Sequence, residues 1–445
     1  MEDKCKCQIC ENDLPFEIPN DIIDSLLNNN LVLFAGAGIS TETKRIFKET
    51  LYDDVLYDLD EKNTDISFPD LMSKFCNSSP NGRQKLLEKI KKRFDYVHQF
   101  KELYRMASEF HIEISKFWML KDIITTNWDD YFERECSAIP IVTPKDFAFY
   151  NIDQRKVFKI HGSISNYGSV IATKEDYDLC YKELSTGLIG ANLKTLLATK
   201  TILFVGYSFR DFDFNKVIEL LKLEMGQVFP HFYIVTLDDK IPDSLDSSKV
   251  TMINTSGTFF FKKIREHLEN KKIIVPEKKL NRIYEIKYLL SSVHSDLSDF
   301  FLDKKKSCSL IYTMLYQDGV SHATDYLDFK SKSGESYNHN DLMNQLILYT
   351  EDIRKKMSKA RNYMDLAYID GYIEGLAIPL FYEDIEEFPL FYIYGIGPTN
   401  DIELAYDTFQ KDTIRHKASE KYGRKFFKEY LKDDSELVLH HRPFI

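Results

Sequence analysis

The sequence predicts an α/β protein: a Rossmann-like parallel sheet with helices on both faces, followed by a mainly helical C-terminal domain. Three observations predict it. Short apolar, β-branched runs recur between segments of helical periodicity from residue 31 to about 275, and strands alternating with helices form a parallel sheet through right-handed crossovers. The first run, Leu31 to Ala35, leads into Gly36-Ala37-Gly38 and Ser40, the succession of buried strand, tight turn and helix start. From Pro276 onward the apolar period is that of long helices. The expected domains are a Cys-containing segment with a lead-in helix at 1–30, the α/β domain at 31–275 and the helical domain at 276–445.

Bulk composition narrows the classes. The 445 residues are 43% hydrophobic, enough for two or three domains with proper cores. A net charge of −11 argues against recruitment of nucleic acid or an anionic membrane by the whole-molecule field. With 27 Tyr and 32 Phe the chain favours large apolar contacts, which fits a homo-oligomer. No apolar run reaches membrane-spanning length and residues 1–10 lack a signal-peptide core, so a cytoplasmic protein is expected. Cys76, Cys136, Cys180 and Cys308 are scattered singly, as reduced thiols are. Cys5, Cys7 and Cys10 form C-x-C-x-x-C, half of a zinc knuckle. Zinc wants four ligands and no second C-x-x-C follows. No metal site is therefore assigned; Cys5, Cys7 and Cys10 are candidates for zinc that need a distant His or Cys, or a second subunit, to complete a site.

In chain order, Pro19-Asn20-Asp21 opens a short amphipathic helix before the first strand. After Ser40, where a helix N-terminus is expected, helices follow, with Ser67-Phe68-Pro69-Asp70 as a cap and a Lys-rich helix near Leu86 to Arg93. His98 and His111 fall on helical stretches and read as ordinary histidines. Lys121 to Asn127, Val157 to Ile160, Thr201 to Val205, His231 to Thr236 and Lys249 to Asn254 complete the strand series, with a helix after Arg210-Asp211. Helical periodicity then marks Arg282 to Leu290, Asp341 to Met357, Ala360 to Ala377 and Asp401 to Tyr430. Phe388 to Gly397 reads equally as a strand or a buried loop. Arg415 to Lys428, basic with Phe426 and Phe427, reads as a solvated helix face in preference to a nucleic-acid contact.

Four strands end in small or hydrogen-bonding residues: Gly36/Gly38/Ser40, Thr125/Asn127/Asp129, His161/Gly162 and Gly206/Ser208. In a parallel sheet ligands lie beyond the carboxyl ends of the strands. A nucleotide diphosphate suits Gly36 to Ser40, with Gly206 and Ser208 lining the same cleft. Asn127 and His161 are left for chemistry: His as a general base near neutral pH, Asn to hold a ribose hydroxyl or a water. Such a pair fits cleavage of a nicotinamide–ribose bond, whose oxocarbenium-like transition state needs positioning of sugar and water more than a strong acid. Thr41 stands where a dehydrogenase fingerprint has its third glycine, which argues against hydride transfer.

The four motifs GAGIS, TTNWD, KIHGS and GYSFRD, in this order, resemble the sirtuin-like superfamily, in particular its bacterial anti-phage branch of NAD hydrolases to which the Thoeris effector belongs. The resemblance covers roughly Leu31 to Ile264. It implies NAD⁺ as substrate, Asn127 and His161 as the residues of turnover, and NAD⁺ contacts at Gly36, Gly38, Ser40, Asp129, Gly206 and Ser208; Ala37 and Thr125, at the same strand ends, complete the expected cofactor-binding set. The chain also departs from the family. Thr126 stands where deacylating sirtuins have Gln, Thr41-Glu42-Thr43-Lys44-Arg45 replaces the GIPDFR continuation, and only Cys180 and Cys308 follow the catalytic His in place of two C-x-x-C pairs. Water is therefore the expected acceptor, and the expected function is an NAD⁺ glycohydrolase that depletes NAD⁺ during phage infection once a signal or partner activates it. The alternatives are a protein deacylase or ADP-ribosyltransferase, and a non-catalytic nucleotide-sensing subunit of a defence complex, for instance beside a hexameric translocase-type ATPase.

Overall fold

The computed structural model of the chain describes residues 12–40, 46–207, 212–226, 229–237, 247–303, 307–430 and 440–443. Cys5, Cys7, Cys10, Thr41 and Ser208 lie outside the described residues. The chain divides into two compact units, 1–265 and 266–445.

Unit 1 is built on a seven-stranded, all-parallel sheet. Its strands are β1 (Leu31–Ala35), β2 (Asp122–Thr125), β3 (Ile139–Ile141), β4 (Lys156–Lys159), β5 (Thr201–Val205), β6 (Phe232–Thr236) and β7 (Val250–Asn254), in the order β3-β4-β2-β1-β5-β6-β7. β1 reads LVLFA and is buried on both faces, as a central strand covered by helices must be. Val32 and Phe34 pack with Phe204, Leu193 and Leu197 on one face. β3, with Pro140 inside it, is an edge strand that the expected series lacked; its three residues are too few to show a period.

The chain leaves β1 toward β2 on one side and returns through β5 on the other, so the topological switch point lies between β1 and β5. Four helices fill the β1–β2 connection: α2 (Leu51–Asp58), α3 (Phe68–Asn77), α4 (Gly82–Gln99) and α5 (Lys101–Ser115), after the lead-in α1 (Asn20–Leu27). Thr50 and Ser67 cap α2 and α3 by accepting from Asp53 N and Asp70 N. Leu51, Val55, Leu71, Met72, Leu86, Ile90 and Phe94 form the core of this insert together with Ile164, Val170 and Ala172 from the loop beyond β4. Four further helices of this unit are α6 (Tyr131–Cys136), α7 (Lys174–Thr186), α8 (Leu188–Thr199) and α9 (Phe212–Met225), and α10 (Gly257–Asn270) follows β7.

After β1 the chain makes a single 3₁₀ turn, Ala37–Ile39, which Ser40 closes; the helix expected from Ser40 would begin on residues 41–45, outside the described residues. The turn is held by the neighbouring strand end, because Gly36 N and Gly38 N donate to Val205 O and Gly206 O at 3.0 Å each.

Unit 2 is mainly helical. Its elements are α11 (Glu277–Asp303), α12 (Cys308–Ser331), α13 (His339–Ile347), a π-helical turn at Leu348–Ile353, α14 (Arg354–Ala360), α15 (Tyr363–Phe381), α16 (Ile402–Lys411) and α17 (Lys417–Tyr430). The single helix expected from Asp401 to Tyr430 is two helices, since Asp412 adopts a left-handed φ of 45° and its carboxylate accepts from Ser309 N at 2.9 Å. The undecided stretch at Phe388 to Gly397 contains β8 (Phe391–Ile393), paired antiparallel with β9 (Gly397–Thr399). Among the described residues no helix is long and apolar enough to cross a membrane.

Candidate active site

β1, β2, β4 and β5 are hydrogen-bonded neighbours, so their carboxyl ends lie side by side. Thr125 is in register with Ala35 on one side and Lys159 on the other. Asn127 and His161 therefore stand two residues beyond paired positions of adjacent strands. The ladder continues past the strands, with Ile160 N donating to Thr125 O at 3.1 Å.

Asn127 is 7% exposed and its geometry is fully determined. Its backbone N donates to Thr125 Oγ1 at 3.0 Å, and Thr125 Oγ1 donates to Ala35 O at 2.9 Å. Its Nδ2 donates to Gly36 O at 3.0 Å. A carbonyl oxygen only accepts, so the amide nitrogen must face Gly36 and Oδ1 must face away. Oδ1 is buried and has no hydrogen-bond partner among the described residues. A buried acceptor left so costs about 1–3 kcal/mol, which a donor on a ligand or a water would recover.

Two motifs are tied to one another around this amide. Ser40 Oγ donates to Asp129 Oδ2 at 2.5 Å, and Asp129 Oδ1 accepts from Tyr131 N at 3.3 Å. Trp128 O accepts from Ile164 N at 2.9 Å, which joins the TTNWD segment to the loop after His161. His161 is 5% exposed, its carbonyl accepts from Ile171 N at 3.0 Å, and its ring lies 4.9 Å from that of Tyr177. Gly162 turns the chain at φ +82°, where a Cβ would meet the Ser169 backbone.

Residues without a functional expectation hold the loop from below. Lys159 is almost wholly buried in β4, and its Nζ donates to Asp129 O and to Glu133 Oε1, the latter at 3.1 Å. Burial pushes the Glu133 carboxyl above its ordinary range although Lys159 opposes this. His111, fully buried, brings Nε2 to 3.9 Å from Asp129 Oδ1. Its ring packs edge-on to Phe110, Tyr131 and Phe132. Burial lowers its pKa to about 4, so it is a neutral support. A lysine inside the apolar run Val157 to Ile160 is the signal by which sequence reasoning could have found Lys159; nothing in sequence marks His111.

The glycines behave differently from the polar residues. Gly206 has φ +62°, and a Cβ on Gly36 would run into its carbonyl oxygen and come within 2.6 Å of Tyr207 Cα. Gly36, Gly38 and Gly206 form a backbone-to-backbone seam at the switch point. Gly38 N, expected to face phosphate, donates to Gly206 O. Of the expected contact residues, the structure brings Gly36, Ala37, Gly38, Ser40, Thr125, Asp129 and Gly206 to the same strand ends as Asn127 and His161. A cavity of about 910 Å³ lies elsewhere in unit 1, lined by Phe47, Lys48, Lys85, Lys89, Lys92 and Arg93 among others, and none of the strand-end residues lines it.

Residues 121–258 match the family described as SIR2-like domain. The chain is 29% identical over 218 residues to the NAD(+) hydrolase ThsA of Cytobacillus dafuensis, which covers 46% of this chain and 41% of that protein. It is 28% identical to the protein of the same name from Acinetobacter baumannii, over 46% of this chain and 42% of the relative. Similarity to Defense-associated sirtuin 2 of Bacillus subtilis, 28% identical, covers 26% of this chain and 12% of that protein. The chain thus spans less than half the length of these relatives. The family match, residues 121–258, spans β2 to β7 of the seven-stranded parallel sheet, and over that span the chain is similar to the SIR2-like domain.

Proposed function

We propose that the chain is an NAD⁺ glycohydrolase that releases nicotinamide and ADP-ribose, acting as a NAD⁺-depleting effector of bacterial anti-phage defence in the cytoplasm. The observation that carries the proposal is the buried Asn127 Oδ1, unpartnered among the described residues, two residues beyond β2 and level with His161 beyond β4. Asn127 accepts a hydrogen bond from a ribose hydroxyl or from the attacking water. His161 takes the proton of that water as its oxygen bonds to the anomeric carbon, while the electron pair of the broken glycosidic bond passes to the nicotinamide nitrogen. Nicotinamide leaves neutral, so the chain need supply no strong acid. Gly36, Ala37, Gly38, Ser40, Thr125, Asp129, Gly206 and Ser208 form the substrate wall in this reading. The names of the relatives support the substrate and the defence role.

The burial of Asn127 and His161 supports a second part of the reading, that turnover waits on an activating signal. Assembly belongs to it too, as a homo-oligomer or beside a partner such as a translocase-type ATPase. The support is a set of exposed apolar side chains on unit 2, among them Tyr288, Phe329, Phe381 and Ile402. Incubating the full chain with NAD⁺, alone and with its genomic neighbours, and following ADP-ribose tests the proposal. ADP-ribose should form under at least one activating condition; its absence under all of them sinks it.

A further inference from the structure

Unit 2 gathers chemistry-bearing side chains at a place the proposed reaction does not use. His294 on α11, Asp318 on α12 and His440 each offer a nitrogen or oxygen, and these three atoms all lie within 4.8 Å of one another. The rings of His294 and His440 stack, with centroids 5.6 Å apart and 20° between their planes. Asp318 is buried, whereas the His440 side chain is 54% exposed. The group thus opens to solvent on one side.

Hydrogen bonds decide which atoms are ligands. Gln317 is buried, and its Nε2 donates to Leu390 O at 2.9 Å. The amide nitrogen is thereby fixed toward Leu390, so the atom that faces His294 Nδ1 at 2.9 Å is the acceptor Oε1. Nδ1 must then carry the proton, and Nε2 of the neutral ring keeps its lone pair. A metal-ligating imidazole shows this arrangement, with its outer nitrogen anchored by a carbonyl or carboxylate. His440 Nδ1 lies 3.0 Å from Asp318 Oδ1, the separation of two donor atoms that share one ion, so Nδ1 is the ligand atom of this ring. Asp318 Oδ2 accepts from His441 N at 2.7 Å, which orients the carboxylate and leaves it further lone pairs. The adjacent residue is held separately: His441 Nε2 pairs with Asp365 Oδ1 at 3.0 Å, and its ring stacks on Tyr368 at 3.9 Å.

We propose that His294, Asp318 and His440 bind a divalent cation of the zinc type, with water completing the coordination. Two imidazoles and one carboxylate are a donor set for zinc or its borderline neighbours and a poor one for calcium or magnesium, which take oxygen ligands. Three protein ligands with an open position match zinc sites that keep a water. Bound there, the cation clips the His440–His441 segment to α11 and α12, from which the rest of the chain diverges in sequence by more than a hundred residues.

The test uses the full chain with Cys5, Cys7 and Cys10 replaced by Ser, so that thiolates cannot contribute. After exposure to zinc and dialysis, elemental analysis should find one equivalent. Competition with a chromophoric chelator should show Gln317→Met weaker by about 10- to 100-fold, as for loss of an anchoring outer partner. His440→Ala should lose at least as much, and because that ring is largely exposed the variant tests the site even where His294→Ala fails to fold. Cobalt(II) in place of zinc should give ligand-field bands of nitrogen and oxygen donors. No zinc above trace in the parent overturns the proposal. So do His440→Ala binding zinc as tightly as the parent, and an unchanged cobalt spectrum in that variant.

Discussion

β1 has two neighbours, and its two flanks use their hydrogen-bonding capacity in opposite ways. Toward β5, Gly36 N and Gly38 N donate to Val205 O and Gly206 O, and the glycines let the two backbones touch. Toward β2 and β4, the loop ends in side chains, and one of them, Asn127, keeps a buried acceptor without a donor among the described residues. Folding alone does not explain this second flank, where a buried polar atom is costly unless something outside the chain pairs with it. The contrast separates the part of the motif set whose backbone closes the switch point from the part whose side chain is left for the proposed substrate.

Breaking the second flank should have the largest effect. Under activating conditions His161→Ala should lower kcat for NAD⁺ cleavage by about 10² to 10⁴, the usual worth of a positioned general base. Asn127→Ala should lose turnover as well, while each variant still unfolds cooperatively. Steady-state rates of nicotinamide release check this, and a His161→Ala enzyme within a few-fold of wild type would remove the chemistry from the β2/β4 flank.

The sheet and its strand ends were legible because central parallel strands are continuous apolar runs and end in recognisable small or polar residues. Six of the seven strands carry that signature; Ile139-Pro140-Ile141 is too short to carry any. The start of α1 at Asn20 and the caps at Thr50 and Ser67 follow local rules that a sequence displays. What was not legible is how hydrogen bonds are distributed once strands meet. That Ser40 donates to Asp129, 89 residues away, and that Gly38 N spends its proton on Gly206 O are consequences of register between β1 and its neighbours. The same limit hid His294, Asp318 and His440, which are far apart in sequence and lie on no shared period.

The support beneath the second flank can be tested by acid. His111 has its pKa lowered from 6.5 to about 4, first by burial among aromatic rings; Asp129 at 3.9 Å pulls it back up and Lys159 pushes it further down. The unfolded chain therefore binds a proton at a pH where the folded chain does not. Stability is undiminished above about 6.5 and falls as pH drops from there toward 4, by about 3 kcal/mol in all, levelling once the folded form is protonated too. Urea unfolding of wild type and His111→Leu at pH 7 and pH 4.5 isolates this contribution, because the other carboxylates titrate in both proteins. The wild type should lose more stability than the variant over that interval; equal losses would mean that His111 is not held neutral beneath Asp129.

The smallest effect sharpens the comparison most, because a phosphate seat and a packing seam respond oppositely to one methyl group. At Gly36 a Cβ would collide with the Gly206 carbonyl oxygen and approach Tyr207 Cα to 2.6 Å. Neither obstacle is the end of a flexible side chain, so β1 and β5 must shift apart. Gly36→Ala should therefore destabilise unit 1 by about 1–3 kcal/mol, the range for overpacking a close-packed site. Should Gly36 serve chiefly as open backbone for a diphosphate, the methyl would instead leave urea unfolding unchanged and raise KM for NAD⁺. Chemical denaturation and KM measured on the same preparation separate the two. A stability loss with KM changed only in proportion assigns the glycines to the switch-point seam and leaves recognition of the sugar to Asn127.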